Sequence, residues 1–314
     1  MFDTVDFKLS RLDVSGVDFI RDLPRFLDDV GEHTYGGLTA ISGSIGGLKV
    51  WITENTVKVR GGSLCKYYLG DNYKTLTRSA TQKAIESLSD ALHLPMGAAA
   101  VTRMDVAQNF IVQHPPTVYF NHLGELGRST RLQQPSGLYY NVSGGQLCFY
   151  DKNKEHKAHK AQNEAISDLY TGRDVVRYER RYKERLAAKF GVSEVTGAML
   201  YDEDFYVKAI DGWKADYHAI RKINDTTLNF KVMRTKKELN RMGVLALTEM
   251  VGGQIQMLAQ IDDAQKRGEL TRKQAFDLKA SIREACSLLD GITVQNEAIT
   301  ELTRKVNEAA RYYR

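Results

Sequence analysis

The amino-acid sequence predicts an α+β protein whose last part is built from helices alone. Up to about residue 200, segments with alternating apolar residues are interleaved with segments of helical periodicity. From about Thr235 onward almost no strand signal remains. The chain has 314 residues, 42% of them hydrophobic, which is enough for one large domain or two of ordinary size. We therefore expect two regions, residues 1–200 and residues 201–314.

The first elements are a strand and a helix. Residues 4–14 (TVDFKLSRLDV) alternate between apolar and polar side chains, as a strand does. Residues 15–30 place apolar side chains on one helical face, with Ser15 as the expected N-terminal cap. Pro24 is expected to interrupt or kink this helix, because proline has no backbone N–H to donate.

Consecutive strands and a second helix follow. Residues 38–62 are typical of strands joined by tight turns, at Gly46-Gly47 and at Glu54-Asn55. Residues 77–94 have the periodicity of an amphipathic helix that ends before Pro95.

Three further segments of the first region predict strands. Residues 97–113 form one, with Met104 and Asp105 on opposite faces. Residues 136–150 predict a hairpin that turns through Gly144-Gly145, and residues 174–186 open with β-branched and aromatic side chains.

The second region contains two signals of helical structure. Thr271 and Gln274 form a T-x-x-Q capping box at the start of a helix. The last helix carries apolar residues at steps of three and four, namely Ile299, Leu302, Val306, Ala309 and Tyr313. This seam predicts the buried face of a bundle helix or, alternatively, a short contact in a homodimer.

Composition narrows the class of protein. The formal net charge is +5 and the isoelectric point is near 8.9, which is compatible with a polyanionic partner. The three cysteines are widely spaced and form no CxxC pair, so neither a zinc knuckle nor a disulfide framework is expected. No apolar run approaches the length of a membrane span. We expect a cytoplasmic protein without a membrane segment.

Chemistry is concentrated in three short segments. Asp105 and Glu179 both lie on strand-like runs, where a carboxylate is costly unless it is paired or binds metal. On neighbouring strands the two could share one Mg²⁺ or Mn²⁺ ion. Tyr150 ends another strand and could attack a phosphate, and Lys152 could stabilise the phosphoryl charge or lower the pKa of the tyrosine. A buried salt bridge from Asp105 to an arginine such as Arg177 explains the same signals without catalysis.

The order of these segments resembles the replication-initiator family that includes the gene II proteins of filamentous phages, and is similar to rolling-circle initiators of small plasmids. The family pattern [TS]R-[ILM]-D-[LVA]-A is matched by TRMDVA (102–107). The pattern [IVF]-Y-[DN]-K-x-x-E is matched by FYDK (149–152) with Glu155, and V-R-[YFV]-E by VRYE (176–179). The resemblance covers roughly residues 1–200.

The resemblance implies an antiparallel-sheet endonuclease domain that nicks one strand of a replication origin. Tyr150 would be the nucleophile, linked to the 5′ phosphate, with a free 3′-OH left for a polymerase and strand transfer to follow. Asp105 and Glu179 would hold the Mg²⁺ or Mn²⁺ ion. The implied partners are double-stranded and single-stranded origin DNA, and a host helicase and polymerase. A non-catalytic DNA-binding regulator of a phage or plasmid is the alternative.

The chain departs from related initiators in two places. An acid expected on the strand before the first helix of the core is replaced by Lys58 or Arg60. The ion would then be held by two acids and water, or Glu54 would contribute. The His-hydrophobe-His pair of another class of nicking enzymes is absent. The nearest pattern is His156-x-x-His159, which is more typical of a solvated helix facing DNA.

Two other tyrosines compete with Tyr150 for the role of nucleophile. Tyr139 and Tyr140 precede the Gly-Gly turn, and neither has a lysine two residues later. Adjacent residues of a strand face opposite ways, so one of them is expected in the core and the other exposed. Tyr140 is the fallback.

Basic residues bracket the predicted site and are expected to contact DNA. Lysines and arginines beside tyrosines are typical of a groove for single-stranded DNA. The expected contacts are Arg103, Lys154, Arg177, Arg180, Arg181 and Lys183. A second basic group at 231–241 could bind duplex origin DNA.

Overall fold

A ten-stranded antiparallel sheet dominates the computed structural model, which confirms the predicted α+β class. The structure describes residues 1–158, 169–223, 225–226, 234–287, 293–294 and 296–314. In chain order the strands are β1 (Phe2–Ser10), β2 (Asp28–Tyr35), β3 (Leu38–Ile45), β4 (Leu48–Thr53), β5 (Thr56–Arg60), β6 (Ala100–Val112), β7 (Thr130–Gln134), β8 (Gly137–Val142), β9 (Gly145–Asp151) and β10 (Asp174–Tyr182). Across the sheet they are ordered β2-β3-β4-β5-β1-β6-β10-β9-β8-β7.

Helices occur throughout the chain and are the main elements after β10. They are α1 (Phe19–Asp22), α2 (Leu64–Leu69), α3 (Arg78–Leu92), α4 (Pro116–His122), α5 (Lys152–Ala158), α6 (Leu186–Phe190), α7 (Glu203–Ala219), α8 (Lys236–Met250), α9 (Gln254–Lys266), α10 (Arg272–Cys286) and α11 (Glu297–Tyr313). A short pair, β11 (Asp225–Thr226) and β12 (Thr293–Val294), interrupts this helical part. Within the described ranges, no helix is both long enough and apolar enough to cross a bilayer.

Contacts between residues divide the chain into two units. Their boundaries do not lie at residue 200, where the sequence analysis placed the division. One unit comprises Met1–Lys222 together with Ala298–Arg314, and the other comprises Ile223–Glu297. Trp213 of α7 and Leu302 of α11 are buried in the same hydrophobic core as the sheet. Both helices therefore belong to the unit that contains the sheet.

The apolar seam near the C-terminus has an intramolecular role. Ile299, Leu302 and Val306 of α11 are wholly buried in the core of the sheet-containing unit. The seam is thus the buried face of a helix, and these side chains are not available for the alternative contact between two copies of the chain.

The first predicted helix is much shorter than its sequence pattern indicated. Helix α1 has four residues and is capped by Asp18, not by Ser15. A 3-10 turn at Pro24–Phe26 follows it, and β2 then begins at Asp28. The ring of Pro24 removes a backbone donor, so the helical hydrogen bonds stop there. The predicted turns at Gly46-Gly47 and Glu54-Asn55 do connect β3 to β4 and β4 to β5.

The pairing of the central strands creates two chemically different faces. In β6 and β10, Arg181 lies opposite Asp105, and Glu179 lies opposite Ala107. Tyr150 of β9 lies opposite Arg177 of β10. Side chains alternate along each strand, so these polar residues share one face, which we call the front face.

The opposite face of the sheet is apolar and packs against helices. Phe149 and Tyr178 stack with ring centroids 4.4 Å apart, and Tyr178 stacks on Trp213 of α7 at 4.9 Å. The Tyr178 hydroxyl donates to the carbonyl oxygen of Trp213, which satisfies its polar group within the core. This packing supports the central strands from behind.

A bulge in β1 directs an acidic side chain toward the front face. Phe2 pairs with Val106 and Val5 pairs with Met104, so Asp3 and Thr4 together lie opposite Asp105. A bulge of this type inserts one extra residue and redirects the side chains around it.

Candidate active site

The front face contains a cavity of about 630 Å³ at the centre of the sheet. Strands β1, β6, β9 and β10 provide its floor, and glycine-rich turns after β3 and β5 form its rim. The charged and hydroxyl side chains of the floor are those of Asp3, Thr4, Arg103, Asp105, Tyr150, Glu179 and Arg181. The structure therefore brings the predicted tyrosine and both predicted carboxylates to one site.

Tyr150 is held by a short hydrogen bond at the floor of this cavity. Its hydroxyl donates to Glu179 Oε1 at 2.6 Å. Burial, followed by the negative charge of Glu179, raises the pKa of the Tyr150 phenol well above its usual value. The phenol is accordingly protonated at neutral pH, so it would have to lose this proton to act as a nucleophile.

Glu179 is an ionised carboxylate surrounded by donors. Arg177 Nε donates to Oε1 at 2.5 Å, and Arg181 Nε donates to Oε2 at 2.7 Å. Burial opposes ionisation of Glu179, but the two arginines and the bond from Tyr150 outweigh it and bring its pKa down to about 2. Glu179 thus orients the tyrosine as a charged acceptor and is a weak proton acceptor.

Arg177 is wholly buried and connects Glu179 to the start of the chain. Its guanidinium donates to Asp3 Oδ2 at 2.6 Å and to Asn109 Oδ1 at 3.1 Å, as well as to Glu179. Ser63 donates to the other oxygen of Asp3 at 2.5 Å. A buried guanidinium is tolerated here because carboxylates and carbonyl-type oxygens satisfy its donors.

Asp105 differs electrostatically from Glu179. It forms a two-point contact with Arg103, at 3.1 Å from Nε and 2.6 Å from the terminal nitrogen. Burial raises the pKa of Asp105 to about 6, although Arg103 acts in the opposite direction. Arg181 lies between the two acids, with its Nε 4.0 Å from Asp105 Oδ2 and 2.7 Å from Glu179 Oε2.

The donor chemistry of the floor suits a hard divalent cation only in part. Asp105 and Glu179 have carboxylate oxygens, which hard divalent cations prefer, and both face one cavity and share Arg181 as a neighbour. Among the described residues, however, no group of three histidine, cysteine or acidic side chains is arranged to hold a metal ion. An ion held by these two acids would therefore need water or phosphate as its remaining ligands, and Arg181 would have to move from between them.

Lys152 lies beside the cavity but not in its lining. Its ammonium is buried, donates to Glu155 Oε2 at 2.7 Å and lies 5.6 Å from the ring centroid of Tyr73. Burial lowers the pKa of Lys152, and neighbouring Arg177 acts in the same direction. Glu155 does line the cavity, so Lys152 reaches the site through that carboxylate.

Of the basic residues predicted to contact DNA, some have exposed side chains and others are buried. Arg103 and Arg181 line the cavity, while Lys154 and Lys183 are exposed. Arg177 has no exposed surface in this structure, so it does not fit the predicted direct contact with DNA.

Arg180 does not fit the predicted contact either. Its Nε donates to Asp216 Oδ2 of α7 at 2.6 Å, on the helix-covered face of the sheet. Alternation along β10 explains why Arg180 differs from Arg181, since neighbouring residues of a strand face opposite ways. In the second basic group, residues 231–233 lie outside the described residues.

The competing tyrosines are placed away from the cavity lining. Tyr140 is buried on the helix-covered face, where its hydroxyl donates to the carbonyl oxygens of Leu123 and Gly124. Tyr139 lies opposite Cys148 on the front face but does not line the cavity. The side chain of the fallback residue, Tyr140, thus points away from the cavity, whereas that of Tyr139 lies on the same face as the cavity.

Asp3 is the acidic residue that the sequence analysis missed. Counting from Val5, simple alternation assigns Asp3 to the apolar face, and only the bulge in β1 redirects it. The predicted substitute, Glu54, is exposed in the β4–β5 turn and is not part of the cavity lining. The available signal was Asp3 itself, an acid at the second residue of β1.

Of the two histidines in the pattern, the structure describes His156, which does not line the cavity. His156 of α5 packs with its ring centroid 5.8 Å from that of Tyr73. His159 lies outside the described residues.

Comparison with protein families agrees with the fold and the cavity. Residues 1–200 match the family model for the N-terminal part of the replication-associated protein of the phage gene II type. The chain belongs to this family of phage replication proteins, and is therefore a rolling-circle replication initiator. Among curated protein sequences, no relative matches the chain.

Proposed function

We propose that this initiator nicks one strand of origin DNA with Tyr150 as the nucleophile. The observation that carries the proposal is the hydrogen bond of 2.6 Å from the Tyr150 hydroxyl to Glu179, inside a cavity that also contains Asp105. The bond orients the hydroxyl oxygen at the floor of a cavity large enough for a phosphodiester and its sugars.

The reaction is a transesterification. The Tyr150 oxygen forms a bond to the scissile phosphorus, and the bond from phosphorus to the 3′ oxygen breaks. The 5′ phosphate stays on the tyrosine, and the 3′ oxygen leaves as a hydroxyl after taking a proton from water. The phenolic proton passes to solvent, because the low pKa of Glu179 makes that carboxylate a poor store for it. Attack by the 3′-OH reverses these steps and rejoins a strand.

Two arginines are placed to offset charge on the reacting phosphate. Arg103 and Arg181 both line the cavity and keep part of their guanidinium groups exposed. Such donors stabilise the negative charge that develops on the phosphoryl oxygens during attack. The wholly buried Arg177 acts indirectly, by holding Glu179 in position.

We further propose that Asp105 and Glu179 hold one Mg²⁺ or Mn²⁺ ion. When bound, the ion would polarise the scissile phosphate and favour the deprotonated tyrosine. Arg181 would then exchange its carboxylate partners for the phosphate. We expect a host polymerase to extend the free 3′-OH and a host helicase to unwind the duplex ahead of it.

Replacement of the tyrosine tests the nucleophile. The protein is incubated with supercoiled plasmid carrying its origin and with Mg²⁺ or Mn²⁺, and relaxed circles and covalent protein–DNA adducts are measured. We expect Tyr150→Phe to abolish both while origin binding is retained, because the variant lacks only the attacking oxygen.

Tyr139→Phe is the matched control, since Tyr139 lies on the same face outside the cavity lining. It should nick like the wild type. An adduct that persists in Tyr150→Phe rules out this nucleophile. A wild-type protein that binds its origin but never nicks it supports the non-catalytic regulator instead.

A further inference from the structure

A second cavity of about 470 Å³ lies on the front face, over the outer strands β2 to β5. Trp51 of β4 lines it together with Lys49 and Arg60. The indole of Trp51 stacks on the imidazole of His33, with ring centroids 5.1 Å apart and planes inclined by 22°. His33 is in turn held by a hydrogen bond of 2.8 Å to Ser42 Oγ.

The stack fixes the orientation of the indole at the surface. One side of Trp51 contacts His33, and the residue remains half-buried, so part of its ring faces the cavity. An aromatic ring held in this way presents a flat apolar surface without the entropy cost of ordering a free side chain.

The surroundings of Trp51 are positively charged. Lys8, Lys58 and Arg60 lie on the same face of neighbouring strands, and Trp51 pairs directly with Lys58. Within the described part of the chain, Lys8, Lys49, Lys58 and Arg60 make no ion pair. Asp29 is the acidic residue in the lining of this second cavity.

This basic surface continues toward the first cavity. Arg60 is followed by Gly61, which lines the first cavity and donates its N–H to Asp6. Asp6 pairs with Arg103 at the floor of that cavity. Four strand spacings separate β4 from β10, a distance of about 20 Å across one continuous face.

We propose that this surface binds single-stranded DNA beside the nicking cavity, with an unpaired base stacked on Trp51 and phosphates bound by Lys49, Lys58 and Arg60. A ring face can stack only on a base that is not already stacked in a duplex, and sequence-tolerant stacking next to lysines and arginines is how single strands are bound. An acidic peptide would use the same charges but not the ring. The inference rests on the family of initiators and does not require the nicking chemistry.

Tryptophan fluorescence gives a direct test. The chain has two tryptophans, and the second, Trp213, is wholly buried in the core, so a stacked base can quench only Trp51. The probe is a single-stranded oligonucleotide of about 12 nucleotides, added with a chelator so that nicking does not contribute. We expect this oligonucleotide to quench the fluorescence, and a blunt duplex of the same sequence to leave it unchanged.

Variants separate stacking from charge. Measured by fluorescence anisotropy of a labelled oligonucleotide, Trp51→Ala should weaken binding about tenfold, and Trp51→Phe should keep most of the affinity while removing the quenching. The double variant Lys49→Ala/Arg60→Ala should weaken binding and reduce the slope of its salt dependence by about 0.7 for each phosphate that is no longer neutralised. Lys83→Ala, an exposed lysine of α3, is the control and should bind like the wild type.

Three outcomes would overturn the proposal. The first is quenching by the duplex but not by the single strand. The second is quenching that persists in Trp51→Phe, or unchanged single-strand affinity in the double charge variant; both results decide the question even if Trp51→Ala does not fold. The third is displacement of the oligonucleotide by polyglutamate at equal charge concentration, which would assign the surface to an acidic protein. All of these binding measurements are made without metal. A negative result would therefore count against single-strand binding at this surface and not against nicking by Tyr150.

Discussion

At the scale of single residues, the cavity depends on how buried charges are paired. Asp3, Arg177 and Glu179 form a connected series of ion pairs that ends at the Tyr150 hydroxyl. Removing one member of such a series leaves its partner buried without a counter-charge, which costs more than an exposed pair contributes. Arg177 is therefore a positioning residue for Glu179, although the sequence pattern suggested a DNA contact.

Asp105 should make stability depend on pH. Its folded-state pKa of about 6 exceeds the ordinary value of 3.8, so the folded protein binds a proton more tightly than the unfolded chain does. The stabilisation is complete below about pH 4 and is lost as the pH rises through about 6. We expect Asp105→Asn to remove this loss, which amounts to about 3 kcal/mol at most.

The measurement is the free energy of unfolding in urea at several values between about pH 4 and pH 7, for the wild type and for Asp105→Asn. The difference between the two proteins should change in favour of the variant as the pH rises. A difference that is independent of pH would show that Asp105 has an ordinary pKa in the folded protein.

At the scale of elements, the backbones of β9 and β10 come into close contact at Gly145. Gly145 begins β9 opposite Tyr182, and a Cβ at this position would lie 1.9 Å from the carbonyl oxygen of Arg181. Backbone cannot yield as a flexible side chain does, so any larger residue must move one strand. The same strand carries Tyr150 and the neighbouring strand carries Glu179 and Arg181.

We expect Gly145→Ala to destabilise the protein by about 2 kcal/mol, because overpacking against backbone forces a strand to shift. Gly127→Ala is the matched control, since a Cβ at Gly127 would meet nothing within 4 Å. Urea unfolding of both variants provides the comparison. Equal stabilities would mean that the approach of β9 to β10 can relax without cost.

At the scale of the whole molecule, the core of the sheet-containing unit is completed by α11, a helix far from the sheet in sequence. Helix α11 returns after residues 223–297 to bury its apolar face in the core of residues 1–222. Glu301 also accepts a hydrogen bond from the backbone N–H of Gln113 at 3.2 Å. The unit that carries the candidate site is thus discontinuous in sequence.

We expect a chain truncated after Lys222 to lose cooperative folding, because Ile299, Leu302 and Val306 each contribute roughly 1.5–3 kcal/mol by burial. Their sum is comparable to the total stability of a typical domain. Circular dichroism during urea unfolding measures the effect, and addition of a peptide with the sequence of residues 297–314 should restore part of the transition. A truncated chain that unfolds with the wild-type midpoint would contradict this account.

The sequence predicted most elements because their signals are local. Alternation identified β6, and β-branched and aromatic residues identified β10. Glycine pairs identified the turns after β3 and β8, and Thr271 with Gln274 identified the start of α10. The helix over residues 15–30 was predicted too long, since Pro24 ends the hydrogen bonding that the apolar pattern alone suggests.

By itself, the sequence determined the α+β class, the family and the three segments that carry Asp105, Tyr150 and Glu179, because each is a pattern within a few neighbouring residues. Only the tertiary structure decided that these residues meet in one cavity, that Asp3 joins them and that α11 belongs to the same core. The physical reason is that strand order, bulges and helix docking depend on contacts between residues far apart in the chain, which no local pattern contains.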